Sequence, residues 1–204
     1  KIACSGCPGG EGWVAFLGGG YDPNQDNNPV IVPDSMGRAV YVVDVLTGSL
    51  VWHYSYAEDP RMAYSIPSDI QKVDINGDGK IDRLYVGDMG GQIWRFDIGN
   101  PDSKQWTGKI IFKSNGSGEN RKIFYPPDVT LEKDSGNYEM LFFGTGDREH
   151  PKESTNINRL YGLKDKNPSA PVTEGNLVDV TQDLLQNPNT TVADKVTILS
   201  TLNS

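Results

Sequence analysis

The sequence predicts an all-β protein: a β-propeller represented by about three blades of a larger ring, with a short C-terminal helix. Two observations lead to this fold class. Short apolar strands alternate with turns rich in Gly, Pro, Asn and Asp, and the 204 residues include 23 Gly and 13 Pro. One pattern, an apolar strand that ends in glycine followed by an aromatic-containing strand, occurs three times at a spacing of about 55 to 70 residues.

The first unit contains three predicted strands. Residues 12–20 form a short apolar strand that ends in a glycine turn, residues 39–45 form the next strand, and residues 50–54 form the returning strand. Thr47 and Gly48 supply the turn between the last two. Short strands that follow one another through tight turns pair as antiparallel neighbours.

The second and third units repeat this pattern with four strands each. In the middle unit the strands are residues 70–73, 84–87, 92–97 and 109–113; in the third unit they are residues 128–131, 140–144, 159–165 and 177–180. A propeller needs roughly four to eight blades to close. Three blades therefore indicate a piece of a longer chain, as do the two ends, neither of which resembles a natural terminus. We expect this longer protein to be secreted.

The loop at residues 74–82, hereafter the 74–82 loop, carries oxygen-bearing side chains at alternate positions. Ca²⁺ takes about six to eight oxygen ligands, and a loop that wraps the ion presents every second residue to it. Gly77 and Gly79 allow the sharp turns that such wrapping requires. The candidate metal ligands are Asp74, Asn76, Asp78, Lys80 through its backbone carbonyl, and Asp82.

This loop differs from an EF-hand at its twelfth position. A bidentate Glu is expected there, whereas this chain has Tyr85 inside an apolar strand. The loop therefore joins two strands instead of two helices, and we expect weaker binding, in roughly the 10⁻⁶ to 10⁻³ M range. The alternative is a polar Asn-Gly-Asp-Gly turn that binds no metal.

Net charge and apolar content exclude two classes of function. A formal charge of −8 and a pI near 4.7 disfavour nonspecific nucleic-acid binding and favour cation binding. No apolar run approaches the roughly 18 residues that a membrane span needs. We therefore expect no nucleic-acid partner and no membrane span in this chain.

Cys4 and Cys7 are the two cysteines of the sequence. The pair lacks the following His of a haem attachment motif and the second cysteine pair of a zinc site. In an oxidising compartment they form a disulfide with each other or with cysteines outside this chain. Reduced thiols and redox catalysis remain as alternatives.

The tail differs in character from the strand-rich part. We expect residues 1–180 to form the partial propeller domain, and residues 181–204 to form a polar linker and an amphipathic helix. Val192, Val196 and Leu199 fall on one helical face. This face is expected to pack on the propeller or on a part of the protein outside this chain, and a partner-binding helix is the alternative.

No catalytic constellation is evident, so the sequence predicts a protein that is not an enzyme. His53 lies in a predicted strand, and we expect it to be a structural side chain without a catalytic role. His150 lies in the polar loop at residues 147–150, which could hold an acid/base group but is more typical of a solvated, salt-linked connection. The nucleophile elbow, the phosphate loop and the dinucleotide fingerprint are all missing.

Three stretches together resemble the C-terminal propeller of the PilY family of type IV pilus biogenesis proteins and tip adhesins. These are the single 74–82 loop, its continuation through residues 85–97, and residues 142–146 followed by residues 159–162. The resemblance implies an extracellular protein of the bacterial cell surface and pilus tip, whose calcium tunes pilus extension and retraction. It implies pilin or minor pilins as partners, and a host or abiotic surface as a further ligand.

The chain departs from the family pattern in its Cys4/Cys7 pair and in lacking an N-terminal adhesive domain. Two other readings compete. Residues 41–44, the turn at residues 47–48 and residues 50–52 look like a quinoprotein dehydrogenase repeat, which would use calcium at a central cofactor site. Integrin-like propellers carry similar Asp-rich loops, but in several copies.

Overall fold

The computed structural model describes residues 1–27, 32–114, 120–133 and 137–203. Within these ranges the chain is mostly β, with thirteen strands and one α-helix. The strands are β1 (Ile2–Ala3), β2 (Glu11–Gly12), β3 (Val14–Gly18), β4 (Ala39–Asp44), β5 (Leu50–Ser55), β6 (Gln71–Val73), β7 (Arg83–Gly87), β8 (Gln92–Asp97), β9 (Thr107–Lys113), β10 (Asp128–Glu132), β11 (Tyr138–Gly144), β12 (Leu160–Asp165) and β13 (Val172–Thr173); the helix is α1 (Val192–Asn203).

The strands form three main sheets and a small N-terminal hairpin. The first sheet has the order β3-β4-β5, the middle sheet β13-β9-β8-β7-β6, and the third sheet β10-β11-β12. Neighbouring strands are antiparallel, except that β13 runs parallel to β9. None of these sheets closes on itself in the described part of the chain.

Two apolar cores lie on either side of the middle sheet. The first core joins Val40 and Val42 of β4 to Trp94 and Phe96 of β8. The second core, shared with the third sheet, includes Tyr85, Ile93, Phe112, Leu141, Phe143 and Tyr161. Because successive side chains of a strand point to opposite faces, a sheet covered on both faces needs apolar residues at nearly every position. This explains the continuous apolar character of β7.

The N-terminal hairpin pairs β1 with β2 and encloses a disulfide between Cys4 and Cys7. Of the alternatives that the sequence left open, the structure therefore has the pairing of the two cysteines with each other. Ile2 is buried in the first core. The hairpin also contacts the 74–82 loop, because the amide of Ile81 donates to the carbonyl of Lys1 at 2.9 Å.

The predicted strand at residues 177–180 is wrong. The chain forms β13 earlier, at Val172–Thr173, and adds it to the middle sheet beside β9. Glu174 follows β13 and accepts hydrogen bonds from Arg121 Nη1 at 2.7 Å and from the hydroxyl of Tyr161. These contacts hold the chain across the seam between the middle and third sheets, so residues 177–180 do not run alongside β12.

Helix α1 forms where the sequence predicts it. Thr191 and Asp194 cap its start reciprocally, since the amide of Asp194 donates to Thr191 Oγ1 at 3.2 Å and the Thr191 hydroxyl donates to Asp194 Oδ2 at 2.7 Å. Its apolar face does not pack on the described residues, because Val192 is 80% exposed and Val196 is 61% exposed. Of the predicted surfaces for this face, packing on a part of the protein outside this chain and binding of a partner therefore stay predictions. In the described ranges, no helix has the length and apolar character needed to cross a bilayer.

Candidate metal site

The 74–82 loop connects two paired strands, as the sequence predicted. Val73 of β6 and Arg83 of β7 are direct partners across the sheet, and the amide of Asp82 donates to the carbonyl of Val73 at 2.9 Å. Between these ends, Gly77 and Gly79 have φ values of 79° and 83°. This left-handed backbone favours glycine, and it lets nine residues curl into a compact loop on the end of a hairpin.

The carboxylate of Asp74 organises the loop. Its Oδ1 accepts from the amides of Gly77 at 2.7 Å and Asp78 at 3.2 Å, and its Oδ2 accepts from the amide of Gly79 at 2.8 Å. Side chains of this kind commonly fold back onto amides of their own loop. The backbone therefore wraps around Asp74.

Two other predicted ligands also accept hydrogen bonds from loop amides. Asn76 Oδ1 accepts from the amide of Asp78 at 2.8 Å, and Asp82 Oδ2 accepts from the amide of Ile75 at 2.9 Å. Asp82 thus ties the end of the loop back to its beginning. Each of these contacts uses only one of the oxygen lone pairs, and a carboxylate has about four acceptor positions.

Asp78 is the most exposed of the three aspartates predicted to bind the metal, and its carboxylate pairs with Lys80. Its Oδ1 accepts from the amide of Lys80 at 2.9 Å, and its Oδ2 lies 3.1 Å from Lys80 Nζ. The backbone hydrogen bond from Lys80, followed by that of the ammonium group, holds the pKa of Asp78 below its usual range. The Asp78 side chain is 44% exposed, so a dissolved cation can reach it.

Glu11 of β2 is a neighbour of the loop that no pattern in the sequence indicates. Lys80 Nζ lies 3.9 Å from Glu11 Oε1, and Lys1 Nζ lies 2.7 Å from Glu11 Oε2. The N-terminal hairpin therefore adds a fourth carboxylate beside the loop. Only the tertiary docking of β2 brings it there, and no local spacing signals such an approach.

The donor set of the loop fits calcium in its chemistry, because three carboxylates, one amide and one backbone carbonyl are all hard oxygen ligands. Whether these side chains lie close enough together to hold one ion is a separate question. Among the described residues, no three or more His, Cys, Asp or Glu side chains are grouped so that they could hold a metal ion. To share one ion, Asp74, Asp78 and Asp82 would have to turn towards a common point, so the ligand set stays a prediction.

A network of ion pairs, most of whose side chains are largely buried, fixes the base of the loop. Arg83 directly follows Asp82 and donates to Asp97 Oδ1 at 2.7 Å and to Glu139 Oε1 of the third sheet at 2.6 Å. Asp165 accepts from Arg95 Nη1 at 3.1 Å and from the hydroxyl of Tyr85 at 2.7 Å. The strand that leaves the loop is therefore connected by ion pairs to the third sheet.

The quinoprotein-like stretch of the first sheet serves as a hairpin turn. Asp44 Oδ1 accepts from the amides of Leu46 at 2.9 Å and Thr47 at 2.8 Å, and also from the Thr47 hydroxyl. Gly48 has a φ of 72°, which suits the turn. The pattern that suggested this class of enzyme therefore has a local structural explanation.

Comparisons with known proteins show that the chain is similar to pilus biogenesis factors. No family model matches it. The chain is 26% identical over 186 residues to a "Type IV pilus biogenesis factor PilY1 homolog" of Xylella fastidiosa, covering 80% of this chain and 12% of that protein. It is 24% identical over 182 residues to the "Type IV pilus biogenesis factor PilY1" of Pseudomonas aeruginosa, covering 76% of this chain and 15% of that protein.

A solved structure is similar in fold. The C-terminal domain of PilY1 from Pseudomonas aeruginosa superposes with a TM-score of 0.62 at 20% sequence identity, covering 81% of this chain and 38% of that chain. The sequence and fold comparisons confirm the predicted resemblance to the PilY family. The chain spans less than a sixth of the length of the pilus factors that it matches.

Proposed function

We propose that this chain, which is similar to PilY1 pilus biogenesis factors, is a calcium-binding, non-catalytic propeller module of a type IV pilus biogenesis factor and tip adhesin. In this role it acts at the bacterial surface, at the pilus tip, with pilin or minor pilins as partners. Bound calcium regulates pilus extension, retraction and surface attachment. The similarity to PilY1 proteins over about four-fifths of the chain supports the pilus role.

The faces of the two outer sheets support the propeller architecture. In the first sheet, Leu17 and Tyr41 are direct partners and both are exposed, whereas Val40 and Val42 on the opposite face are buried. In the third sheet, Phe142 and Leu160 are exposed, whereas Leu141 and Phe143 face the core, as alternation requires. We propose that further sheets of the longer protein cover both exposed apolar faces.

This architecture can be tested in the longer protein. Phe142→Asp should lower its melting temperature, because a charge would then be buried between two sheets. Tyr125→Asp is the matched control, since Tyr125 is exposed but lies outside the strands. If both variants melt at the wild-type temperature, the face of the third sheet is not covered by another sheet.

The observation that carries the calcium proposal is the loop itself. Its five predicted oxygen donors lie within nine residues on a hairpin closed by the Val73 to Arg83 pairing, and the Asp78 carboxylate is accessible to solvent. When bound, calcium supplies the positive charge that allows three carboxylates to converge, a geometry in which they would otherwise repel one another. Arg83 connects the end of the loop to Glu139, so a stiffer loop would act on the contact between the middle and third sheets.

The test adds calcium to the chelated protein and measures the melting temperature at each calcium concentration. Because a ligand that binds the folded state stabilises it, calcium should raise the melting temperature of the wild type. Asp78→Ala should abolish this shift. Asp69→Asn should retain it, because Asp69 is an exposed acid just before β6 and outside the loop. An unchanged wild-type melting temperature in millimolar calcium would refute calcium binding.

A second experiment tests the pilus role separately. In a bacterium that carries the longer protein, Asp78→Ala should change the amount of surface pili in the same direction as removal of external calcium. Asp69→Asn should leave the pili unchanged. If Asp78→Ala abolishes calcium binding in vitro but pili are unaffected, the chain binds calcium without regulating pili.

A further inference from the structure

A buried lysine joins loops from the first and third sheets. Lys122 Nζ has no exposed surface, and it donates to the carbonyl of Gln25 at 3.1 Å and to Asp147 Oδ2 at 2.8 Å. Gln25 lies between β3 and β4, and Asp147 lies between β11 and β12. A buried ammonium group is tolerated only when it is paired, so this contact fixes the Asp147 carboxylate in its ionised form.

His150 extends this contact with both of its ring nitrogens. Nδ1 lies 3.0 Å from Asp147 Oδ2, and Nε2 lies 2.7 Å from the backbone carbonyl of Asp26. A carbonyl oxygen accepts hydrogen bonds and cannot donate, and the same holds for an ionised carboxylate. A neutral imidazole carries one N–H and an imidazolium carries two. Both contacts can therefore be hydrogen bonds only when His150 is doubly protonated.

We propose that His150, bonded to Asp147 and to the carbonyl of Asp26, forms a pH-sensitive bridge between the loops of the first and third sheets. We call this contact the His150 bridge. It is closed when the imidazole carries both protons. Loss of one proton turns a nitrogen lone pair towards an acceptor oxygen, which replaces attraction by repulsion at one of the two His150 contacts, while the Lys122 contact to Gln25 and Asp147 remains.

The charged surroundings determine where the bridge opens. Burial opposes the charged form of Asp147, yet the hydrogen bonds from Lys122 and His150 hold the pKa of its carboxyl below the usual range. The hydrogen bond to Asp147 in turn raises the pKa of His150 above its ordinary 6.5. The other charged or titratable groups nearby are Lys122, Asp26, Tyr21, Arg148, Glu149 and Glu153.

The sign of the pH dependence follows from the raised pKa. The folded protein holds the second proton of His150 more tightly than the unfolded chain does, so the bridge contributes fully below about pH 6.5. Its contribution is lost as the pH rises through the folded-state pKa. The loop at residues 145–148 also lines a cavity of about 240 Å³ with Phe124 and Tyr125, so opening of the bridge changes one wall of this cavity.

The test is a pH titration of the protein by NMR. His150 should titrate with a raised midpoint and with both ring nitrogens protonated in acid. The amide resonance of Asn27, which directly follows Asp26, should shift with the same midpoint. His53, the other histidine of the sequence, lies in β5 and outside the His150 bridge. In His150→Gln the Asn27 shift should disappear, whereas in His53→Gln it should remain.

Two results would overturn the bridge. One is a His150 midpoint at or below its ordinary value, which would mean that Asp147 does not stabilise the imidazolium. The other is an Asn27 amide that does not respond when His150 titrates, which would mean that the two loops are not coupled. Both measurements use the wild-type protein, so a variant that fails to fold does not prevent the test.

Discussion

Two aspartate-centred turns precede and follow strand β7, and they differ mainly in burial. Before β7, Asp74 accepts three backbone amides of the solvent-exposed 74–82 loop. After β7, Asp88 is fully buried and accepts from the amides of Gly90 and Gln92 at 2.9 Å each. Asp88 Oδ2 also accepts from the side chains of Gln92 at 3.0 Å and Trp94 at 2.9 Å.

The comparison separates a structural carboxylate from one that is available to a ligand. All four donors around Asp88 belong to the protein, and burial raises its pKa to about 7 although those hydrogen bonds favour the charged form. A cation would have to displace buried donors to reach it. In the 74–82 loop, the partner of Asp78 Oδ2 among the described residues is the flexible end of Lys80, which a cation can replace.

The largest expected effect is at the buried turn. Asp88→Ala removes the Asp88 acceptor from the amides of Gly90 and Gln92 and from the Trp94 indole, whereas the Gln92 side chain keeps its contact with the carbonyl of Arg61. Each unsatisfied buried group costs about 1 to 3 kcal/mol, so the sum approaches the whole stability of a typical domain. Urea denaturation should show a large loss of unfolding free energy. Asp69→Ala is the control, and equal stabilities of the two variants would contradict the structural role of Asp88.

A second buried acid should behave like Asp88. Asp165→Ala leaves the Arg95 guanidinium and the Tyr85 hydroxyl without their buried partner. Removal of one member of a buried ion pair costs about 3 to 5 kcal/mol. Denaturation should therefore show a smaller loss than for Asp88→Ala. The control is Asp97→Ala, because Asp97 is 39% exposed; a larger loss for Asp97→Ala would contradict the importance of burial.

A smaller effect, on calcium affinity, is expected from substitution of Lys80, whose ammonium group pairs with Asp78 in the exposed loop. Lys80→Gln removes the ammonium group that competes for Asp78 Oδ2 but keeps the backbone carbonyl predicted to bind calcium. Because exposed ion pairs are weak, calcium affinity should rise only by roughly several-fold. Titration calorimetry measures this change. Lys72→Gln, on β6 outside the loop, is the control. Unchanged or weaker binding in Lys80→Gln would show that the lysine does not compete.

The sequence predicted most of the strands because their signals are local. Alternation of apolar residues and the glycines that end turns are sufficient for the three antiparallel strands of the first sheet and for β6 to β9. The strand at residues 177–180 failed because the pairing of β13 with β9 depends on tertiary contacts of Glu174. The sequence of α1 likewise does not indicate whether its apolar face is covered or exposed.

The 74–82 loop was predicted as a connection between two strands, whereas its surroundings were not predicted, and its metal ligands stay a prediction. The spacing of Asp74, Asn76 and Asp78 identifies the loop, and the glycines that follow explain its path. Nothing local distinguishes the buried Asp88 from an exposed turn aspartate, since both precede glycines. The same limit applied to the loop at residues 147–150, which is salt-linked as predicted but has the buried Lys122 as an ion partner that nothing local indicates. Burial is a property of the assembled sheets.

The most direct test of calcium binding follows backbone amide resonances while calcium is added to the chelated protein. The 74–82 loop should respond at Gly77 and Gly79, whose amides donate to Asp74, and the shifts should saturate at or below millimolar calcium. The amides of Gly90 and Gly91 in the buried turn should stay unchanged. Loop resonances that do not move in millimolar calcium, or that move no more than those of the buried turn, would contradict the proposal.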